Sequence, residues 1–190
     1  MQARSSARIP VIPRVLLRTI LTAVLLSAIL AVTATLAAPA RGLHAEYFAS
    51  DTVGGSPAVA GIDAAPTAAA MQRRWHASSP RTFAARWFGF VSVQKAGRYS
   101  IILTSDDGAV LSLDGRVELD SGGRLGLQTQ ATTIDLARGP HAFALTFNQH
   151  GGTFDLNLQW ARDGEVPTPV PEWVFTPEKT SARTVAAWHY

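Results

Sequence analysis

The residues of this chain best able to do chemistry are two adjacent carboxylates, Asp106 and Asp107, followed directly by Gly108. The pair has two readings. It can offer oxygens to a hard cation such as Ca2+, but that ion takes about 6–8 oxygen ligands, so two carboxylates are not enough. Alternatively, Asp-Gly makes a tight turn in which Asp106 caps backbone N–H groups. Catalytic constellations are missing. There is no GxSxG and no Cys, so neither a serine elbow nor a thiolate nucleophile is available. A glycosidase would need paired carboxylates at a set spacing in space, for which Glu46, Asp106 and Asp107 are the candidates. With nothing else in support, the chain reads as a non-enzyme. His44, His76, His141, His150 and His189 show no HxH or HxxxH spacing, which argues against zinc. Of the tryptophans, Trp160 and Trp87 read as core, while Trp75 and Trp173 stay open between core packing and sugar stacking. Arg73, Arg74 and Arg86 read as solvated or paired surface charges.

The elements that must position these residues are strands. In 153–161, Phe154, Leu156, Leu158 and Trp160 alternate with Asp155, Asn157 and Gln159, the period-2 pattern of a strand with one face buried. In 141–148, Phe143, Leu145 and Phe147 share a face, as do Tyr99, Ile101 and Leu103 in 98–104. Residues 83–93 are rich in aromatic and β-branched side chains and fit a strand. Turn signals separate the runs at Lys95-Ala96-Gly97, Asp107-Gly108, Asp114-Gly115, Ser121-Gly122-Gly123, Arg138-Gly139-Pro140 and Gly151-Gly152. Short strands at this spacing predict an all-β, two-sheet, mainly antiparallel β-sandwich. The Ala-, Gly- and Pro-rich stretch 54–70 reads as a surface loop with short structure at most, and no segment after residue 40 shows a sustained helical stripe with caps. A last edge strand is expected near 172–175, and 178–190 reads as a tail.

Residues 1–40 read differently. Arg4, Arg8, Arg14 and Arg18 precede an uncharged stretch, 19–40, that contains the apolar run ILTAVLLSAILAVTATL. Basic residues before an apolar segment are the plan of a signal peptide. Uncleaved, the same plan gives a single-pass anchor, and the stretch approaches the roughly 20 residues needed to span a bilayer. Small residues before Ala34 and Ala40 suit a peptidase. One N-terminal hydrophobic helix is therefore expected ahead of the body at 41–177, which would lie outside the cytoplasm, periplasmic or membrane-anchored. The net charge of +3 resides in those four arginines. Without them, 13 basic residues face 14 acidic ones, and the body offers no basic stripe for nucleic acid.

Several segments together resemble one family. GLHAEYF at 42–48, FAARWFGFVSVQKAGRYSIILTSDDGAVLSLDG at 83–115, GPHAFALTFNQHGGTFDLNLQW at 139–160 and PVPEWVFTP at 169–177 resemble, in order, the segments of the PA-fourteen (PA14) domain. The resemblance implies a β-sandwich that is often a glycan-binding module. In the family's calcium-dependent lectins, a cis-linked Asp pair holds Ca2+ with an Asn side chain and a main-chain carbonyl, and sugar hydroxyls complete the shell. Carried over, the resemblance implies Asp106, Asp107 and Asn148 as metal ligands, with the carbonyl of His150, and a glycan or polysaccharide bound at Asp106, Asp107, Asn148 and His150. If the N-terminal segment is retained, the inner membrane is a second partner. The alternative is a non-catalytic structural or interaction domain, or the N-terminal part of a larger envelope glycosyltransferase or hydrolase.

Overall fold

The computed structural model describes residues 18–27, 40–75, 80–122 and 126–179. The chain divides into two units, Met1–Ala38 and Pro39–Tyr190. Within the first, 18–27 form a helix, α1, that exposes Ile20, Leu21, Val24, Leu25 and Leu26. Among the described residues no helix is long and apolar enough to cross a membrane. The small-residue positions before Ala34 and Ala40, the first three arginines and the tail from 180 lie outside the described residues.

The body is a two-sheet β-sandwich, as the alternating runs require. Its strands are β1 (Leu43–Phe48), β2 (Val59–Asp63), β3 (Phe83–Val93), β4 (Gly97–Asp106), β5 (Gly108–Leu113) and β6 (Arg116–Asp120), then β7 (Gln128–Leu136), β8 (Gly139–Gln149), β9 (Asp155–Arg162), β10 (Thr168–Pro169) and β11 (Phe175–Thr176). The larger sheet runs β2-β1-β3-β8-β5-β6, with β11 added to β3; the smaller runs β10-β9-β4-β7. All the strand pairings are antiparallel. The inner faces are those the alternation predicts. Phe143, Leu145 and Phe147 of β8 face Tyr99, Ile101 and Leu103 of β4 and Leu156 and Leu158 of β9 in one buried core. Each such side chain contributes roughly 1.5–3 kcal/mol by leaving water. Trp160, expected inside, is only half-buried at the core's edge, its ring 5.4 Å from that of Tyr99.

Three expectations need correction. No capped helix is expected after residue 40, but one forms, α2 (Ala68–Trp75); the stretch 54–70 otherwise holds only the short strand β2. That helix begins where the Thr67 hydroxyl accepts the Ala70 N–H at 3.1 Å, an N-cap bond satisfying one orphan donor of the first turn. It buries Met71 and Trp75, one turn apart, against the core. The strand expected at 172–175 is a 3-10 turn, Glu172–Val174, followed by β11. β11 passes so close to β3 that a Cβ on Gly89 (φ +153°) would lie 2.6 Å from the Thr176 carbonyl oxygen, so only glycine fits there. Finally, Asp107-Gly108 is not a hairpin turn. β4 belongs to the smaller sheet and β5 to the larger, so the chain crosses between sheets at the two aspartates. The true Asp-Gly hairpin is Asp114-Gly115, between β5 and β6, where both residues have positive φ, 49° and 79°. Here the Asp114 carboxylate accepts the Ala142 N–H at 2.8 Å and lies 2.6 Å from His141 Nδ1. Burial alone would raise this carboxyl, but those two bonds outweigh it and hold it below the usual carboxylate range.

Candidate functional site

The crossing at Asp106–Asp107 forms one end of the sandwich. β4 and β9 pair so that Asp106 lies opposite Asp155. β5 and β8 pair so that Gly108 lies opposite Asn148. β4 and β8 therefore both run toward this end, which brings the Asp pair and the 148–152 loop together across the two sheets. The peptide between the two aspartates is cis.

The two carboxylates differ in role. Asp107 is buried, at 4% exposure. Its Oδ1 accepts the Gly126 N–H at 2.7 Å and its Oδ2 accepts the His150 N–H at 2.8 Å. It thus ties the loop before β7 to the loop after β8. Asp106 stands beside it without a backbone donor among the described residues. Burial, the nearby charge and hydrogen-bonding approach of Asp107, and the charge of Asp155 raise its carboxyl above the ordinary value. Among the described residues, no Lys or Arg forms an ion pair with Asp106, Asp107 or Asp155.

The other two expected residues meet at Asp51, in the loop after β1. Asn148 Nδ2 donates to the Asp51 carbonyl oxygen, and its own Oδ1 accepts no hydrogen bond among the described residues. His150 Nδ1 lies 3.5 Å from Asp51 Oδ2, while the His150 amide serves Asp107. Between them Gln149 is fully buried, its Nε2 donating to Gly151 O at 2.8 Å and Thr153 O at 3.0 Å, which shapes the loop. Among the described residues no three His, Cys, Asp or Glu side chains gather as a metal site. A cation here would need Asn148, a main-chain carbonyl and oxygens from a ligand besides the Asp pair. Glu46 is engaged elsewhere: it is ion-paired with Arg86 across β1 and β3.

Sequence reasoning missed a second polar cluster. Asp63, at the end of β2, is buried at 6% exposure. It accepts Tyr47 OH and Trp87 Nε1 on Oδ2, the latter at 2.9 Å, and Arg74 Nε on Oδ1 at 2.9 Å. Burial, then the hydrogen bond and charge of Asp63, push the Tyr47 hydroxyl far above the usual phenol range. The cluster ties β1, β2, α2 and β3 together. Only the aromatic pair Tyr47-Phe48 and the double arginine hinted at it, because an Asp within a Gly- and Ala-rich stretch carries no pattern.

A two-sheet sandwich whose strands change sheet at an Asp pair with no ion-pair partner among the described residues, and with a polar loop beside it, has the build of a ligand-binding module. The chain belongs to the PA14 domain family, which matches residues 39–172. No curated protein matches it in sequence. Among solved structures it is similar to a PA14 sugar-binding domain from an RTX adhesin, with 16% identity and a TM-score of 0.60, covering 73% of this chain and 99% of that one. It is also similar to the A domain of Epithelial Adhesin 6 from Candida glabrata, solved with Galβ1-3GlcNAc, with 12% identity and a TM-score of 0.58, covering 75% of this chain and 89% of that one. An anti-sigma factor domain-containing protein from Clostridium clariflavum shares 26% identity at a TM-score of 0.58 over 74% of this chain, which spans 50% of its length. A further anti-sigma factor domain-containing protein is matched over 48% of its length.

Proposed function

We propose that the body is an exported, non-catalytic carbohydrate-binding module whose ligand docks at the Asp106–Asp107 end with Ca2+ as the bridging ion. The observation that carries this reading is the crowding of Asp106, Asp107 and Asp155 with no cationic partner among the described residues. Mutually repelling carboxylates are costly unless a cation or proton neutralises them. The residues present fit a hard cation: among the described residues Asp106 accepts no N–H, each Asp107 oxygen accepts a single N–H, and the Asn148 Oδ1 accepts no hydrogen bond. Asp107 and the loop amides would fix the site; Asp106 and Asn148 would supply ligand oxygens. The ion when bound would supply a charge on which sugar hydroxyls can dock. Family membership and the sugar-binding relatives support the ligand class. Acceptor oxygens without an N–H donor among the described residues favour this over a purely structural domain, whose acids would be paired.

Melting curves test it. Added Ca2+ should raise the melting temperature by linkage, and a glycan array should bind more in Ca2+ than in EGTA. Asp106→Asn has no backbone bond to lose and should abolish the rise. Its folded carboxyl titrates above the unfolded value, so its favourable contribution is present below that unfolded pKa and is lost as pH rises through the folded one. At neutral pH without calcium, Asp106→Asn should therefore melt above the parent. A calcium response that persists in Asp106→Asn would remove the ion from this site.

Export rests on the four arginines ahead of the uncharged stretch 19–40. Fusion of residues 1–60 to a reporter active only outside the cytoplasm should give signal, whereas activity confined to a cytoplasmic reporter would contradict the assignment.

A further inference from the structure

The end of the sandwich away from Asp106 carries a second cleft. β4 runs from Gly97 to Asp106, so at about 3.4 Å per residue Tyr99 lies about 24 Å from the acidic end. There Gln94, Lys95, Tyr99, Trp160, Arg162, Glu165, Thr168 and Trp173 line a cavity of about 220 Å3. Trp160 and Trp173 are half-buried, unlike Trp87, which is fully buried in the core. The rim is built rather than loose. A tight turn sets it, with Asp163 at φ 38° and Gly164 at φ 79° and the Glu165 N–H donating to Arg162 O at 2.9 Å. The Arg162 guanidinium lies 3.4 Å from Glu165 Oε1. Its stem lies over Gly97, where a Cβ would come within 3.1 Å of Arg162 Cδ. Trp173 also lines a second, open cavity of about 620 Å3 with Arg41, Ile62, Ala64 and Glu172.

We infer that this aromatic cleft is a second, cation-independent binding site for a neutral oligosaccharide, with Trp160 and Trp173 as stacking surfaces and the Arg162–Glu165 pair gripping hydroxyls. The chemistry follows from the lining. Indole faces pack against the C–H faces of pyranose rings, and their polar edges suit a wet site. A guanidinium beside a carboxylate offers donors and acceptors together, which matches adjacent hydroxyls, each both donor and acceptor. Because Arg162 and Glu165 neutralise one another, the pair does not select a charged ligand. Trp173 lines both cavities, so a ligand can extend from one into the other, which favours a chain over a single monosaccharide. The inference stands apart from the acidic end, and either site can fail without the other.

Tryptophan fluorescence of the full-length chain in excess EGTA tests it, with cellohexaose, maltohexaose, laminarihexaose and chitohexaose as probes. At least one should change the emission saturably. Trp173→Ala and, independently, Arg162→Met should weaken that binding by roughly tenfold or more, while Asp106→Asn leaves it unchanged. Arg162→Met keeps the stem over Gly97, so it reads the lost hydroxyl contacts even if Trp173→Ala fails to fold. The inference is overturned if no probe saturates in EGTA, if Arg162→Met binds as the parent does, or if Asp106→Asn abolishes the binding.

Discussion

Asp63→Ala is expected to cost about 3–5 kcal/mol of folding stability, although no apolar alternation in the sequence marks Asp63. The substitution strands three donors at once. Tyr47 is fully buried, and its hydroxyl loses its acceptor. Trp87 Nε1, also fully enclosed, loses the 2.9 Å bond to Oδ2. Arg74, 28% exposed, loses the ion pair at 2.8 Å. Each buried donor left unsatisfied costs about 1–3 kcal/mol, whereas the half-open arginine recovers part of its loss from water. Urea unfolding should show a lower midpoint with an unchanged slope, and the melting temperature should fall by about 10 °C or more. A loss under about 1 kcal/mol would mean that water replaces the carboxylate, and the cluster would not be the tie between β1, β2, α2 and β3.

Leu158→Asp should leave no folded body. Leu158 is buried, opposite Leu103 in the smaller sheet, and a carboxylate there would face the inner side of the larger sheet with no partner. Burying an unpaired charge costs several kcal/mol on top of the lost apolar burial, against a typical domain stability of about 5–15 kcal/mol. The matching control is Asn157→Asp, one residue away on the exposed face. It should change stability by no more than about 0.5 kcal/mol. Circular dichroism of the two variants reads the period of β9 directly: a β-sheet spectrum should survive in the second and vanish in the first. If both fold, Leu158 is not on the inner face.

The pair also marks what the sequence made legible. Strands β8 and β9 alternate cleanly, because each has one wet and one dry face and nothing else competes for that pattern. The acidic end was legible as residue types, since adjacent aspartates before glycine are rare enough to notice. Their placement was not. Asp-Gly reads locally as a hairpin, and only long-range pairing shows that β4 and β5 part company into different sheets. Helix α2 escaped because it spans two turns, too few for a sustained stripe. Its marks, the Thr67 cap and Met71 one turn before Trp75, sit at the end of an alanine-rich run that hides them. The Asp63 cluster joins residues from 47 to 87, a relation with no sequence period at all. Trp160 misled in the opposite direction: it continues the dry stripe of β9 but lies at the edge of the core, where its ring is only partly covered.

The pairing of β3 has a consequence for the order in which the molecule is made. β3, at residues 83–93, pairs with β8 out to Gln149 and with β11 at Phe175–Thr176. A chain emerging from its N-terminus therefore presents β1, β2 and β3 well before the strands that cover them have been synthesised. Pairings across such long stretches close slowly, because loop entropy is lost before contacts reward it. The larger sheet therefore cannot close around β3 until nearly the last described residues have been made.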